Sequence, residues 1–297
     1  MSTNYIKDEE SVIQRLVSNM APHGTKVYLV TLGELEADAS WFLEGANSQT
    51  KSQYDQGIVP SHKRVRLQMY SVLIDHPNEG LILYEVGPGK AGWKEKWGDQ
   101  ILDNFCAPEE GQGQSLDIAL NSLGYDIKEV KHVIIGHLHI DHAGGLEFFA
   151  DTETQIWVHE IELKHAFWGV ATKSELGSYL PYYLYLNLNW NTFPDETLDL
   201  FPGLTLHLAG GHTPGLTILE VNLERDGTFI FTSDHAIIKE NYENGGHKQG
   251  WLMRDHVAWY NSTQRIRRLQ RLTNATVVFG HDLLTVKTLL EEKFYFS

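Results

Sequence analysis

Residues 134–145 read IIGHLHIDHAGG, and the rest of the chain can be interpreted outward from this stretch. It places three histidines and one aspartate within six residues, directly after the largely apolar run of residues 130–135. A run of this kind predicts a buried strand, which would deliver the side chains that follow it to one edge of a sheet. Neutral imidazole nitrogens and carboxylate oxygens gathered at such an edge are typical ligands of a metal ion.

Three more residues with the same side-chain chemistry follow predicted strands farther along the chain. They are His212 after residues 204–208, Asp234 after residues 228–232, and His281 after residues 275–279. A catalytic zinc site needs three protein ligands and one open position, whereas seven candidate ligands are present here. Two ions about 3.5–4 Å apart, bridged by a carboxylate and a water, would use all seven. The number of ligands therefore favours a two-metal centre over a single ion.

The motif HLHIDH, followed in order by His212, Asp234 and His281, resembles the metal-binding pattern of the metallo-β-lactamase superfamily. It is most similar to the branch that contains the N-acyl-homoserine lactonases. The resemblance runs from about residue 26 to the C-terminus. It implies an α+β fold, an αββα sandwich in which two mixed sheets pack face to face with helices outside. Because no linker divides the chain, we predict one domain over residues 1–297, with residues 1–22 as a lead-in.

The resemblance also implies a role for each candidate ligand. Six residues are implied to hold two metals, three for each ion: His137, His139 and His212 for one, and Asp141, His142 and His281 for the other. Asp234 is implied to bridge the two ions. Because the set contains nitrogen and oxygen but no sulfur, zinc (Zn2+) is the first choice, and iron, manganese and cobalt also suit it.

The resemblance also implies a hydrolase that opens a small cyclic ester or cyclic amide, which is a lactonase or a lactamase. Two bound ions would lower the pKa of a water towards neutrality and would polarise the substrate carbonyl. Asp141 is expected to relay a proton to the leaving group. Asp141 and Asp234 are thus the predicted catalytic residues.

Two other functions stay open from the sequence. A thioesterase of the same superfamily would act on glutathione or carrier-protein esters, although the net charge of −15 disfavours an acidic carrier. A non-catalytic metal-binding protein would be expected to lack ligands, and none is missing here. The same acidity disfavours nucleic acid as a partner, because phosphate would be repelled. The expected activity on cyclic esters or amides makes a small cyclic molecule the expected partner.

The composition of the 297-residue chain is typical of a globular protein, with 42% hydrophobic and 21% charged residues. Its single cysteine, Cys106, excludes an internal disulfide framework and a thiolate-rich zinc site. The N-terminus lacks the features of a secretion signal, and no stretch approaches the roughly 18 apolar residues of a membrane span. We therefore expect a soluble, cytoplasmic protein without membrane contact, and a homodimer is compatible with the sequence.

Two positions depart from the usual pattern of the family. Many relatives carry Asp-Thr-Gly at a strand end where this chain has Glu85, which is expected to orient a metal ligand in place of that aspartate. The lactonases of this branch typically carry a tyrosine three residues after the bridging aspartate, where this chain has Ile237. Three tyrosines are candidates to replace it as substrate contacts: Tyr182, Tyr183 and Tyr242.

Residues 168–201 are unusually aromatic and irregular, and we expect either an insertion that covers the site or a satellite aromatic cluster under a loop. Together with the missing tyrosine at Ile237, this segment favours a flat or aromatic cyclic substrate. His235, beside Asp234, is expected either to support the site or to lie solvated on the surface.

Hydrophobic periodicity and turn residues predict the regular elements of the chain. The predicted strands are 26–32 and 39–43, joined by a turn at 33–38, then 67–75, 80–86, 130–135, 155–158, 204–208, 217–221, 228–232 and 275–279. The predicted helices are 10–20, 115–123, 144–150, 160–168, 255–272 and 283–296.

Overall fold

Two mixed β-sheets form the middle of the structure, a computed structural model that describes residues 14–15, 18–46, 51–57, 63–111, 113–175, 177–243 and 249–297. Within these residues the first sheet has seven strands in the order β4-β1-β2-β3-β5-β6-β7. They are β1 (Lys26–Asp38), β2 (Arg64–His76), β3 (Gly80–Tyr84), β4 (Phe105–Cys106), β5 (Val130–Ile134), β6 (Gln155–His159) and β7 (Asn189–Phe193). The second sheet has five strands in the order β12-β11-β10-β9-β8. They are β8 (Thr197–Phe201), β9 (Leu204–Leu208), β10 (Thr217–Leu223), β11 (Gly227–Phe231) and β12 (Thr276–Val278).

Helices pack on the outer faces of both sheets. The α-helices of the described residues are α1 (Lys51–Asp55), α2 (Trp93–Trp97), α3 (Asp99–Asn104), α4 (Leu116–Ser122), α5 (Ile140–Ala143), α6 (Glu160–Thr172), α7 (Pro181–Leu184), α8 (His256–Thr273) and α9 (Leu283–Glu292). Leu116 and Leu120 of α4 join the core on the first sheet, and Ile266 of α8 joins the core on the second.

Alternate residues of the strands supply three successive layers of core. In β2, Leu73 packs with the helices outside the first sheet, whereas Ile74 packs between the two sheets. In β10, Leu219 packs between the sheets, whereas Ile218 packs against α8. Successive side chains of a strand point to opposite faces, so strands that are buried on both faces bind a helical layer and a second sheet together. The predicted α+β sandwich, with two mixed sheets and helices outside, is confirmed.

The strand directions bring several loop ends to one edge of the sandwich. β9 and β11 each run antiparallel to β10, and β12 runs parallel to β11, so the carboxyl ends of β9, β11 and β12 lie together. The end of β5 meets the same edge, because the Thr217 N–H at the start of β10 donates to the Gly136 carbonyl at 2.8 Å. The Tyr84 hydroxyl at the end of β3 donates to the Thr217 carbonyl at 2.9 Å. Both sheets therefore contribute to this edge.

The predicted turn at residues 33–38 is wrong, because β1 continues to Asp38 and pairs with β2 along its length. Gly33, with φ of +124°, lies at a β-bulge that shifts the register without ending the strand. The acidic residues of this stretch face outward, and Glu36 pairs with Arg64 at 2.7 Å. The predicted strand 39–43 is also wrong, because a short 3-10 helix over Ala39–Trp41 directly follows β1.

Residues 168–201 are not one irregular insertion. Their second half forms β7 and β8, which are edge strands of the two sheets and pair with β6 and β9. Only the part between α6 and β7 remains as a connecting segment, and it contains α7. Tyr179 and Tyr183 of this segment are fully buried. The aromatic residues thus serve mainly as core and strand residues, which the sequence pattern alone did not reveal.

The remaining predicted elements differ from the structure at their ends. A 3-10 helix over Gly144–Phe148, directly after α5, stands where helix 144–150 was predicted. The C-terminal helix ends at Glu292 because Phe296 pairs with Val27 in a β-bridge. The predicted helix 10–20 lies mostly outside the described residues. The described part of the chain contains no helix long and apolar enough to cross a membrane. One domain over residues 1–297 stays a prediction.

Candidate metal centre

The turn after β5 and the short helix α5 carry the predicted ligands of residues 137–142. The backbone enters this turn through a position that accepts only glycine. A Cβ at Gly136 would lie 2.5 Å from Glu85 Oε1 and 2.8 Å from the Thr217 carbonyl oxygen. Glycine is therefore required here by close packing, and it lets the first ligands lie directly against the second sheet.

All seven predicted ligands meet at the shared edge of the sheets. His212 follows β9, Asp234 lies in a 3-10 turn after β11, and His281 follows β12. They join the residues of the first turn in overlapping groups whose donor atoms lie within 4.8 Å of one another. The seven side chains therefore lie together at this edge, and their role as metal ligands stays a prediction.

The first group consists of His137, His139, His212 and Asp234. All four are buried, and both His137 and His212 have no exposed surface. His212 Nε2 lies 3.1 Å from His139 Nδ1 and 3.4 Å from Asp234 Oδ2. His137 Nε2 lies 3.9 Å from the same Asp234 Oδ2. Three imidazoles and one carboxylate oxygen therefore surround a common point.

The second group consists of Asp141, His142 and His281, and the other oxygen of Asp234 faces it. His142 Nε2 and His281 Nε2 are only 3.0 Å apart. Asp141 Oδ2 lies 3.6 Å from His142 Nε2 and 3.4 Å from His281 Nε2. Asp234 Oδ1 lies 3.2 Å and 3.0 Å from the same two nitrogens. Asp234 is the side chain common to both groups.

The protonation of the first group suits a cation. Burial lowers the pKa of His137, His139 and His212, which keeps these imidazoles neutral and free to donate a lone pair. His137 Nε2 is buried and has no hydrogen-bond partner among the described residues. A buried polar atom normally has a partner, and a cation would satisfy this one. The residues present therefore fit a divalent metal ion.

The second group is more strongly charged. Burial acts to lower the pKa of His142, but the nearby carboxylates of Asp234 and Asp141 outweigh it and raise that pKa well above its usual range. Burial acts to raise the pKa of Asp234, but His281 and His142 hold it well below its usual range. Asp234 is thus ionised, which is the form that binds metal.

Comparison with known proteins identifies the family. Residues 64–281, most of the chain, match the family described as the metallo-beta-lactamase superfamily. This chain is a member of that superfamily. The predicted resemblance is confirmed, and we identify the protein as an enzyme, a metal-dependent hydrolase.

The metallo-β-lactamase-like chain also aligns with individual relatives over most of its length. N-acyl homoserine lactonase AiiB of Agrobacterium fabrum is 27% identical over 269 residues, which cover 87% of this chain and 94% of that protein. N-acyl homoserine lactonase AiiA of Bacillus thuringiensis subsp. kurstaki is 24% identical over 234 residues, which cover 78% of this chain and 88% of that protein. A crystal structure of a B. thuringiensis AiiA variant superposes with a TM-score of 0.69 at 23% identity, covering 89% of this chain and 95% of that one. That structural likeness confirms the fold.

Four histidines of this metallo-β-lactamase-type centre are oriented through their Nδ1 atoms. The Nδ1 partners are Ser233 Oγ at 3.1 Å for His137, Glu85 Oε1 at 3.4 Å for His142, Gln249 Oε1 at 2.9 Å for His212, and the Gln68 carbonyl at 2.9 Å for His281. Each ring thereby turns its Nε2 towards the cluster, and outer contacts of this kind fix the tautomer and the ring position. Glu85 is one of these outer partners, and its role in orienting a metal ligand stays a prediction.

Several of these outer residues were missed by sequence reasoning. Gln249 is fully buried, accepts through Oε1 from the His212 ring, and donates through Nε2 to the carbonyls of Asp234 and His235. Nothing near it in the sequence marks it as part of the site. Ser233 also links Glu85 to His137, and its position next to Asp234 was the one signal that could have identified it. Glu162, a buried carboxylate of α6, was missed too.

The predicted substrate contacts lie in different places. The buried Tyr183 hydroxyl donates to the Leu138 carbonyl at 2.6 Å, and the half-buried Tyr182 hydroxyl donates to the Pro88 carbonyl at 3.2 Å. Ile237 is buried in the helix-side core of the first sheet. Tyr242 packs in the core between the second sheet and α8. The structure brings Tyr183 against the ligand turn and does not bring Tyr242 into the ligand cluster.

His235 is buried, and its ring forms no hydrogen bond with the proposed ligands among the described residues. Its ring is buried, stacks on Trp259, and shares hydrogen bonds with Thr263 Oγ1 at 2.9 Å and the Ala209 carbonyl at 3.3 Å. Burial lowers the pKa of His235 to about 3, so the ring is neutral in the fold. It stabilises the segment that carries Asp234 as a core residue.

Proposed function

We propose that the protein hydrolyses a small cyclic ester or cyclic amide at a centre of two divalent metal ions. The observation that carries this proposal is the position of Asp234. Its Oδ2 lies 3.4 Å from His212 Nε2, and its Oδ1 lies 3.0 Å from His281 Nε2. One carboxylate thus faces both ligand groups, which is what a bridging ligand of a two-metal site requires.

We assign the ligands of the two ions by these groups. The first ion would be held by His137, His139 and His212, the second by Asp141, His142 and His281, and both by Asp234. Zinc is proposed because all donors are nitrogen and oxygen, and iron, manganese and cobalt would be accepted by the same donors. When bound, the two ions would polarise the substrate carbonyl and lower the pKa of the attacking water.

The two aspartates have different parts in the proposed reaction. Asp234 is nearly fully buried and held in its ionised form by His281 and His142, so it acts as a ligand and not as a proton carrier. The Asp141 side chain is 19% exposed, compared with 6% for Asp234. Asp141 is therefore the carboxylate that can reach a bound substrate and pass a proton to the leaving oxygen or nitrogen.

Among ring substrates, we propose a cyclic ester first. AiiB and AiiA, which align with most of this chain, are N-acyl homoserine lactonases. The case for an aromatic ring is weaker than the sequence suggested, because residues 189–201 form edge strands and Tyr242 lies in another core. Tyr182 is the predicted tyrosine that keeps accessible surface, and a Cβ at Gly144, two residues after His142, would lie 2.7 Å from its hydroxyl. We propose it as a substrate contact.

A panel of candidate substrates tests this function. Metal-reconstituted protein is assayed with N-acyl homoserine lactones of several chain lengths, aromatic lactones, bicyclic lactams and glutathione thioesters, with Asp234→Ala as the inactive control. We expect ring opening of a lactone that stops in chelator and returns when metal is restored. Turnover of thioesters without any ring opening would support the thioesterase alternative and contradict the proposal. Ring opening that persists in chelator would contradict the metal mechanism.

A further inference from the structure

Glu162 is a buried carboxylate beside the metal centre that the proposed reaction does not use. It lies in the first turn of α6, and its side chain has no exposed surface. Oε1 accepts hydrogen bonds from the Leu138 N–H at 2.9 Å and the Tyr179 hydroxyl at 3.0 Å. Oε2 accepts from the Thr213 hydroxyl at 2.6 Å and the Gly215 N–H at 3.3 Å. Four donors therefore converge on one carboxylate.

These donors flank the ligands of one metal. Leu138 lies between His137 and His139, and Thr213 directly follows His212. The Tyr179 ring also packs against the His139 ring, with centroids 4.9 Å apart. None of the four donors adjoins His142 or His281 in the sequence. The contacts of Glu162 thus concern the proposed first ion.

The two turns that Glu162 joins come from different sheets. The turn of residues 137–139 follows β5 of the first sheet, and the turn of residues 212–215 connects β9 to β10 of the second. The backbone of α6 lies close to the second of these turns, because a Cβ at Gly215 would lie 2.6 Å from Glu162 Cα. A buried carboxylate is stable only when hydrogen-bonded, and charge-assisted hydrogen bonds are about twice as strong as neutral ones. The carboxylate therefore fixes how far apart the two turns lie.

We infer that Glu162 is a positioning residue that sets the distance between the His137–His139 turn and the His212 turn, and through it the affinity of the first metal ion. This inference rests on the proposed two-metal function. It makes a selective prediction, because the second ion is held by residues that Glu162 does not tie together. A residue that only stabilised the fold would not affect one ion more than the other.

Glu162→Gln tests the inference with little change in side-chain volume. The amide nitrogen replaces one acceptor oxygen and faces donors that it cannot satisfy. We expect one of the two zinc affinities to fall about 10–100-fold, as is typical for contacts outside the ligand shell, and the other to stay within threefold of wild type. The measurement is a zinc titration of metal-free protein against a chromophoric chelator. His212→Ala identifies which of the two affinities belongs to the first ion.

Glu220→Gln is the matched control. Glu220, in β10 of the second sheet, is also a buried glutamate. Its carboxylate accepts a hydrogen bond from Arg15 at 2.8 Å and shares one with the His207 ring at 2.7 Å, and neither partner lies in a proposed ligand turn. Its variant should lower the melting temperature and leave both zinc affinities unchanged. Equal loss of both affinities in Glu162→Gln, or no loss, would overturn the inference.

Two milder variants keep the test decisive where Glu162→Gln does not fold. Tyr179→Phe and Thr213→Val each remove one donor, and each should lower the first-ion affinity by a smaller factor. Unchanged affinities in both variants would overturn the inference. Wild-type protein that binds a single ion would defeat the proposed two-metal function. In that case, weaker binding of the single ion by Glu162→Gln would still support the positioning role of Glu162, and unchanged binding would overturn it.

Discussion

Removal of the Glu85 carboxylate should weaken both metal sites, and more strongly the one that contains His142. Glu85 Oε1 lies 3.4 Å from His142 Nδ1, a direct contact with a proposed ligand of the second ion. The same oxygen accepts from Ser233 Oγ at 2.7 Å, and Ser233 Oγ lies 3.1 Å from His137 Nδ1. Glu85 thus orients one ligand directly and another through a hydroxyl.

The size of the effect follows from these two routes. Loss of a contact that orients a metal-bound histidine typically lowers metal affinity about 10–100-fold, or about 1.4–2.8 kcal/mol. In Glu85→Ala the His142 ring loses its direct partner, so we expect the second-ion affinity to fall nearer 100-fold. The His137 ring keeps Ser233, so the first-ion affinity should fall nearer tenfold. Glu85→Gln keeps an oxygen for Ser233 and should give smaller losses at both sites.

The assay is the zinc titration against a chromophoric chelator, with circular dichroism to confirm that the variants are folded. Glu220→Gln serves again as the variant of a buried glutamate outside the centre. Wild-type affinity for both ions in folded Glu85→Ala would refute the role of Glu85. A larger loss at the first ion than at the second would refute the assignment of the direct contact to His142.

Three further perturbations have distinct expected results. Asp234→Ala should reduce bound metal below two equivalents and reduce ring opening by more than the roughly 10–100-fold of an outer contact, as measured by elemental analysis and initial rates. Gly136→Ala would place a Cβ 2.5 Å from Glu85 Oε1, and such overpacking should lower the free energy of unfolding in urea by about 1–3 kcal/mol. Burial lowers the pKa of His235 to about 3, so below the ordinary histidine pKa of about 6.5 the unfolded chain binds a proton that the fold does not. This histidine should therefore reduce the unfolding free energy by up to about 1.4 kcal/mol per pH unit as the pH falls from about 6.5 towards 3. Metal-free His235→Gln should lose that slope, and an unchanged slope would contradict a neutral buried ring.

The parts of the fold that were predictable are those that local pattern determines. β5 and the strands β9 to β11 are short, apolar and bounded by glycine or turn residues, and they were predicted within two residues at each end. The seven proposed ligands were identifiable because each follows a predicted strand and because their order resembles a known motif. At β1 the same reasoning failed, since Gly33 and outward-facing acidic residues resemble a turn while pairing with β2 keeps the strand continuous.

The parts that could not be predicted depend on contacts between distant residues. Glu162 lies in a helix whose sequence gives no sign that its carboxylate joins two turns from different sheets. Gln249 contacts His212 although the two residues are 37 positions apart in the sequence, and no local pattern predicts that contact. Tyr242 looked like a substrate contact because it is near Asp234 in the sequence, but its hydroxyl donates to Gln270 in another core. Proximity along the chain is a poor guide at a site built from four loops.

The number of bound metals tests the proposed centre most directly. Purified protein is reconstituted with zinc, freed of excess metal and measured by elemental analysis, while ring opening is followed on the same sample. We predict two equivalents per chain in the wild type, and a joint loss of metal and activity in chelator and in Asp234→Ala. One tightly bound equivalent, with full activity retained after Asp234→Ala, would contradict a two-metal centre bridged by that carboxylate.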